Sequence, residues 1–278
     1  MNEIVHNHYI DAGRIAARVR EEAVSRVKED IPLLEVAEFI ENRIKELGAK
    51  PAFPANISVN EIASHYTPED NTPCFKRGDV VKIDIGAHIE GFIADTATSI
   101  EVGTQDHRRL IHACEEALEN AISSVKDNTQ TRTIGGIIET TIKKHGFNPV
   151  RDLTGHSLEQ YKLHAGITIP NYRSIFSQKI RKDMVFAIEP FATYGKGNIK
   201  YGKPHIYAIN ERSNTKANLR LRELFGPLPF TPRWAPGIRI EDLTGLREYL
   251  EIIEIGSEIV AQSEHTMIVN ENGCEVIT

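Results

Sequence analysis

Cysteine is scarce in this chain of 278 residues. The three cysteines, Cys74, Cys114 and Cys274, lie far apart and form neither a CxxC pair nor a zinc-type group. A secreted protein held together by disulfides needs a denser and usually even set of cysteines. The sequence therefore argues against a disulfide framework and favours a reducing compartment.

Long apolar runs are also missing. No segment approaches the ~20 apolar residues that cross a bilayer. The first residues, MNEIVHNHYIDAGR, are polar and charged, without the apolar core of a secretory signal. We therefore expect a cytoplasmic protein that does not contact a membrane.

An excess of positive charge is absent as well. The chain has 33 Lys and Arg against 39 Asp and Glu, a formal net charge of -6. This balance argues against a protein that binds nucleic acid through its overall charge. The hydrophobic content of 40% is that of an ordinary globular protein. The length allows either two domains or one large domain with an insertion; we predict one domain over residues 1–278.

One stretch, VVKIDIGAHIEGFIADTATSI (residues 80–100), reads as two strands joined by a tight turn. If the hairpin is symmetric about the midpoint of Ile89 and Glu90, Asp84 lies directly opposite Asp95. Opposed carboxylates repel each other at this distance unless they share a proton or a cation. The hairpin alone therefore predicts a bound cation or a shared proton.

Amphipathic helical patterns flank this hairpin on both sides. They cover residues 2–28, 30–48, 106–127 and 133–145. Helices that alternate with strands and a hairpin indicate an α+β or α/β fold.

The predicted secondary structure and the composition change between about residues 200 and 250. Predicted helices near 217–225 and 240–249 and a proline-rich link suggest a small inserted helical subdomain. Its basic residues are interpreted mainly as a solvated face, with a partner-binding patch as the alternative; they are Arg212, Lys216, Arg220, Arg222, Arg233 and Arg239.

Three further segments carry chemically versatile side chains. His156 and His164 stand in a glycine-flanked stretch, where metal-binding or catalytic roles and an ordinary loop role are equally open. Glu189 interrupts an apolar run and needs a partner if it is buried, whereas on an edge strand it faces water. Glu264 begins a C-terminal hairpin with Asn272-Gly273 in its turn. His65, in an earlier loop, has an ordinary structural explanation when taken alone.

Taken together, five ligand-type side chains stand on predicted strands or in a glycine-flanked loop: Asp84, Asp95, His156, Glu189 and Glu264. Four carboxylates gathered in one site repel each other, and two divalent cations would neutralise them. Oxygen ligands with one imidazole suit Mn, Fe(II), Co or Zn. Two such ions can share a water and convert it to a hydroxide nucleophile, as they do in aminopeptidases.

Five segments give the chain a specific resemblance. SHYTP, KIDIGAHIEGFIADTA, GHSLEQYKLHAG, FAIEPFAT and QSEHTMIV resemble, in order and spacing, the motifs of the pita-bread metallopeptidases, over essentially the whole length. The 75 residues from Glu189 to Glu264 resemble the insertion of the type II methionine aminopeptidases. The chain shows no long polybasic N-terminal extension like that of the eukaryotic type II enzymes, so the resemblance is to an archaeal-like short form. The resemblance implies a curved antiparallel sheet covered by helices. It also implies removal of N-terminal methionine before a small second residue, by hydroxide attack from a dinuclear metal site.

The resemblance also assigns roles. It implies that Asp84 binds one ion, that His156 and Glu189 bind the other, and that Asp95 and Glu264 bridge both. By the same resemblance, His65 and His164 are expected to contact the scissile amide, and Glu189 is expected to shuttle protons. The implied methionine pocket includes Phe53, Leu163 and Tyr249, together with a position that falls at Tyr207 or His205 in the insertion.

The implied partners are methionyl peptides and nascent chains, with the ribosome as a further partner, and the expected state is a monomer. Two alternatives remain open. A Xaa-Pro dipeptidase of the same fold would use the same ligands, but the 79 residues before the hairpin are too few for its usual first domain. A catalytically inactive pita-bread protein that binds ribosomes or RNA would be expected to have lost ligands, and all five are present.

Overall fold

A computed structural model describes residues 1–209 and 216–278, without the side chains of Lys216 and Ala217. Arg212 and the Lys216 side chain, two members of the predicted basic face, lie outside the described part. None of the helices in the two described ranges is both long and apolar enough to cross a membrane.

Five α-helices are present in these ranges. They are α1 (Glu3–Val24), α2 (Leu33–Glu46), α3 (Arg108–Ser123), α4 (Thr131–Lys144) and α5 (Lys216–Phe225). Short 3₁₀ turns cover Pro232–Trp234 and Ile240–Asp242. In α3 the buried positions, from Leu110 to Ala121, recur every three or four residues, so one face of the helix packs on the core.

Fifteen short strands complete the described fold. They are β1 (Lys50–Pro51), β2 (Asn56–Val59), β3 (Ile62–Ser64), β4 (Val80–Ile89), β5 (Phe92–Glu101), β6 (Asn148–Pro149), β7 (Thr154–Leu158), β8 (Thr168–Pro170), β9 (Val185–Ile188), β10 (Phe191–Thr193), β11 (Ile199–Ile209), β12 (Leu246–Glu254), β13 (Val260–Gln262), β14 (His265–Val269) and β15 (Cys274–Val276). The pairings among them are antiparallel, and this confirms the predicted antiparallel sheet.

The strands form four small sheets, in the orders β1-β4-β2 with β5 beside β4, β13-β10-β6, β11-β12-β3 and β15-β14-β9-β7-β8. Helices α1 and α2 pack on β4 and share a core with Val81, Ile83 and Ile85. Helices α3 and α4 share a second core with β9 and β14. Two helical layers therefore cover the sheets, as the predicted α+β class requires.

The register of the β4–β5 hairpin differs from the predicted one. Asp84 pairs with Ala97, and Asp95 pairs with Gly86, so the two carboxylates are diagonal rather than opposite. The turn is Glu90-Gly91, and both residues have positive φ, the requirement of a tight two-residue hairpin turn. Because the shift is two residues, Asp84 and Asp95 still lie on the same face of the hairpin.

The insertion is only partly helical. The helix predicted near 217–225 is confirmed as α5, but the one predicted near 240–249 is wrong, because Leu246–Glu254 is strand β12. It pairs along β11, so these two neighbouring strands of the β11-β12-β3 sheet frame the insertion. The subdomain boundary near residues 200–250 stays a prediction.

Candidate active site

Asp84, Asp95, His156, Glu189 and Glu264 line a single cavity of about 200 Å³. Strands β4, β5 and β7 carry the first three, Glu189 directly follows β9, and Glu264 stands between β13 and β14. Asp84, Asp95, His156 and Glu264 are buried, with exposed fractions from 1% to 8%. The β4–β5 hairpin and three later parts of the chain thus bring their polar groups to one place.

Sheet pairing fixes these groups relative to each other. His156 pairs with Ala187 of β9, two residues before Glu189. The backbone of Glu264 forms a bridge with Ala97, two residues after Asp95. Gly155 lets strands β7 and β9 approach each other this closely, because a Cβ at position 155 would lie only 2.4 Å from the carbonyl oxygen of Ala187. This is the close backbone approach that a glycine permits.

The distances suit metal coordination. Nε2 of His156 lies 3.7 Å from Oδ2 of Asp95 and 3.6 Å from Oε1 of Glu189. Ligand atoms of Asp95, His156 and Glu264 lie within 4.8 Å of one another. One imidazole nitrogen among carboxylate oxygens is a donor set for borderline-hard divalent ions.

The electrostatics also favour a cation at this place. Burial raises the pKa of Asp84 to about 7. Burial, as the larger cause, and repulsion from neighbouring carboxylates, as the smaller one, raise the pKa of Asp95, Glu189 and Glu264 well above the ordinary range. The Oδ1 atoms of Asp84 and Asp95 are buried without a hydrogen-bond partner among the described residues. Divalent cations would satisfy these oxygens and offset the repulsion.

The two predicted catalytic histidines border the same cavity. His65 follows β3 with φ +63°, and its Nδ1 lies 3.2 Å from the carbonyl oxygen of Leu250. The ring centroid of His164 lies 4.4 Å from that of His156. Burial lowers the pKa of both His65 and His164 to about 4, so both rings are neutral near pH 7.

An apolar wall accompanies the polar groups. Phe53, Leu163 and Tyr249 line the cavity, and the Tyr249 ring meets the His65 ring edge-on. The structure adds Ile206, Pro229 and Ile252, which sequence reasoning missed.

Neither predicted occupant of the variable pocket position lines this cavity. His205 binds Glu69 and Glu251 through its two ring nitrogens, at 2.8 and 3.0 Å. Tyr207 is buried beside Phe230 and donates its hydroxyl hydrogen to the carbonyl oxygen of Pro204. Ile206 points into the cavity instead, because neighbouring side chains on strand β11 face opposite ways.

Sequence reasoning also missed the polar groups behind the carboxylates. Gln262 is fully buried, and its amide donates to Oε2 of Glu264 at 3.3 Å. The Thr266 hydroxyl accepts from the backbone N–H of Asp95 at 2.8 Å and donates to its carbonyl oxygen at 2.7 Å. The Thr96 hydroxyl donates to the carbonyl oxygen of Glu264. Buried polar residues in the segment VAQSEHT (residues 260–266) were the available signal.

Comparisons with known proteins agree with this geometry. The sequence profile described as metallopeptidase family M24 matches residues 7–248. The methionine aminopeptidase of Pyrococcus abyssi is 45% identical, over 97% of this chain and 98% of that protein.

Solved structures show the same fold. The methionine aminopeptidase of Thermotoga maritima superposes with a TM-score of 0.78 at 25% identity, over 100% of this chain and 98% of that one. A thermophilic Arx1 superposes with a TM-score of 0.85 over 100% of this chain and 91% of that one, but at 16% identity it shows the fold alone. From the matched profile and from relatives that align along almost its whole length, the chain belongs to metallopeptidase family M24 and, within it, to the methionine aminopeptidases.

Proposed function

We propose that the chain removes the N-terminal methionine from peptides and nascent proteins in the cavity bordered by β4, β5, β7 and β12. The observation that carries this proposal is the convergence of two features in one cavity. Buried carboxylates and a histidine suited to divalent ions lie beside an apolar wall that includes Phe53, Leu163 and Tyr249.

The donor groups fit a divalent metal site. Four carboxylates would balance two divalent ions, of which Asp84 would hold one and His156 with Glu189 the other. Asp95 and Glu264 are assigned to both. Ions bound there would supply Lewis-acid activation of the scissile carbonyl and of water. The identity of the ions is left to measurement, among Co, Mn, Fe(II) and Zn.

The protein's own groups orient the peptide. The apolar wall accepts the methionine side chain. Because the Nδ1–H of His65 donates to a backbone oxygen, Nε2 of His65 is an acceptor and can bind an N–H of the scissile segment. His164, also neutral, can donate its ring N–H to the substrate's carbonyl oxygen. Glu189 carries a proton from the attacking water to the leaving amine nitrogen.

Cleavage of Met-Ala-Ser, measured together with bound metal, tests the proposal. The expected result is release of methionine that depends on added divalent ions and is faster than release from Met-Val-Ser, since a small second residue is proposed. Hydrolysis of Xaa-Pro dipeptides instead would indicate a dipeptidase. No turnover with any of the four ions, in a protein that binds none of them, would indicate an inactive binding protein.

The proposed partners are methionyl peptides and nascent chains. A cytoplasmic location, a monomeric state and an encounter with the ribosome are predictions that belong to the same proposal. Sedimentation of the purified protein, alone and with ribosomes, would test the last two.

A further inference from the structure

One buried ion pair joins the insertion to helix α2. Glu41 of α2 is 3% exposed, and its two oxygens accept from Nη2 and Nη1 of Arg233 at 2.9 and 3.1 Å. Nε1 of Trp234 also donates to Glu41, at 2.7 Å. We call Glu41, Arg233 and Trp234 the latch. It connects parts of the chain that are 192 residues apart.

Further contacts tie the latch to the body of the protein. Nη2 of Arg233 donates to the hydroxyl of Thr67, which is fully buried, at 3.0 Å. The backbone N–H of Ala55 donates to Oε1 of Glu41 at 3.3 Å. A planar guanidinium bound to a carboxylate through two nitrogens fixes direction as well as distance. The latch is therefore a rigid connection rather than a loose surface pair.

Open space lies beside the latch. A groove of about 620 Å³ separates Glu38, Asn42 and Lys45 of α2 from Leu224 and Phe225 of α5. Glu41, Arg233 and Trp234 also line this groove. The latch thus holds the insertion against α2 at the border of a gap, where side chains of the two helices are not packed together.

The same segment reaches the catalytic cavity. Pro229, four residues before Arg233, lines both the groove and the cavity. The next residue, Phe230, exchanges two backbone hydrogen bonds with Tyr207, at 2.8 and 2.7 Å. Tyr207 directly follows Ile206, which also lines the cavity. Ile206 and Pro229, two of the cavity residues that come from this insertion, are therefore connected to the latch through a few backbone atoms.

We propose that Glu41, Arg233 and Trp234 are positioning residues that set the width of the methionine pocket by holding Pro229 and Ile206 in place. The inference rests on the proposed function. The latch residues lie outside the carboxylate and histidine cluster, so the latch governs substrate binding and leaves the metal ligands unchanged. Loss of the latch lets the insertion move away from α2, and the pocket then binds methionine less tightly.

The test compares Glu41→Gln with the milder Trp234→Phe, which keeps the ring but loses the N–H donor. For Met-Ala-Ser we expect KM to rise about tenfold in Glu41→Gln and less in Trp234→Phe, with kcat within about twofold of the unchanged protein, as for a loss of uniform binding. Bound metal stays the same. Amide hydrogen exchange in segments 205–209 and 228–234 becomes faster in both variants.

The matched control is Glu46→Gln, on the same helix. The Glu46 carboxylate binds Arg43 at 2.9 Å, but it is 63% exposed and lies away from both cavities. The control should leave KM and hydrogen exchange unchanged. If Glu41→Gln fails to fold, Trp234→Phe decides alone.

Unchanged KM and unchanged exchange in the folded latch variants would overturn the inference, as would loss of bound metal. If the unchanged protein cleaves no methionyl peptide, the proposed function fails. Hydrogen exchange then still decides whether the latch holds segments 205–209 and 228–234.

Discussion

Nδ1 of His65 lies 3.2 Å from the carbonyl oxygen of Leu250. A carbonyl oxygen can only accept a hydrogen bond, so Nδ1 carries the proton. Burial lowers the pKa of His65 to about 4, and the ring is therefore neutral near pH 7 with an unprotonated Nε2. One backbone contact from β12 thus decides that His65 offers the cavity an acceptor rather than a donor.

Replacing His65 by Ala should lower turnover without releasing metal. The substitution removes the acceptor for a substrate N–H, and we expect kcat/KM for Met-Ala-Ser to fall about 100-fold. Bound metal, measured by elemental analysis, should stay at the level of the unchanged protein. His112→Ala, at an exposed position on α3, is the control. If metal is lost with His65, the residue is a ligand and its proposed role is wrong.

Asp95→Ala should abolish metal binding and activity together. Asp95 lies beside both His156 and Glu264, and its carboxylate is proposed to contact both ions. The unchanged protein should show a higher melting temperature when Mn²⁺ or Co²⁺ is added, because the ion binds only the folded state. The variant should show no such increase. Asp106→Ala, at an exposed site, serves as control, and near-normal turnover in Asp95→Ala would contradict the dinuclear proposal.

The stability of the metal-free protein should depend on pH through the ionisation of Asp84. Burial raises its pKa from the ordinary value of 3.8 to about 7, so the folded state keeps a proton that the unfolded state releases. This contribution to stability is complete below pH 4 and is lost as pH rises through about 7.

Asp84→Asn isolates this effect. From pH 5 to pH 8, the free energy of unfolding of the unchanged metal-free protein should fall by at most about 3 kcal/mol because of Asp84, since each pH unit below the folded pKa contributes about 1.4 kcal/mol. The Asp84→Asn variant lacks this ionisable group and should not show that loss. Urea unfolding with a chelator present measures the difference. A difference that does not change with pH would show that Asp84 is already ionised at pH 5.

Local patterns were sufficient to select side chains that the structure brings to one cavity, because carboxylates in apolar strands are unusual and need partners. Their role as metal ligands stays a prediction. The register of Asp84 and Asp95 was not predictable in the same way. A turn centred on Ile89 and Glu90 looks as regular as one at Glu90 and Gly91, and only the positive φ at both latter positions distinguishes them. Both remain on one face because the error was an even number of residues.

The insertion shows where local patterns fail. Leu246–Glu254 is rich in Leu and Glu, which favour helices, but the segment pairs with strand β11, which lies well before it in the chain. Tertiary pairing of this kind overrides propensity. For the same reason the contributions of Ile206 and Pro229 to the cavity could not be predicted, because their neighbours Tyr207 and Phe230 pair across a long sequence separation.

Gly86→Ala should weaken methionine binding through Phe53. Gly86 lies in β4, two residues after Asp84, and a Cβ there would lie 2.2 Å from Cε1 of the Phe53 ring. The ring is 6% exposed and cannot simply turn into solvent. The added methyl group must displace it within the pocket wall, at a cost to stability of about 1–3 kcal/mol. We expect KM for Met-Ala-Ser to rise several-fold while bound metal stays unchanged.

The double variant Gly86→Ala with Phe53→Leu makes this prediction specific. The smaller side chain leaves room for the new methyl group, so the double variant should regain the stability lost in Gly86→Ala. Gly273→Ala is the control, since a Cβ at Gly273 meets no described atom within 4 Å. If Gly86→Ala instead loses metal and the double variant does not recover it, the methyl group acts on the neighbouring strand. Gly86 pairs with Asp95, and the glycine would then serve the carboxylates rather than the pocket.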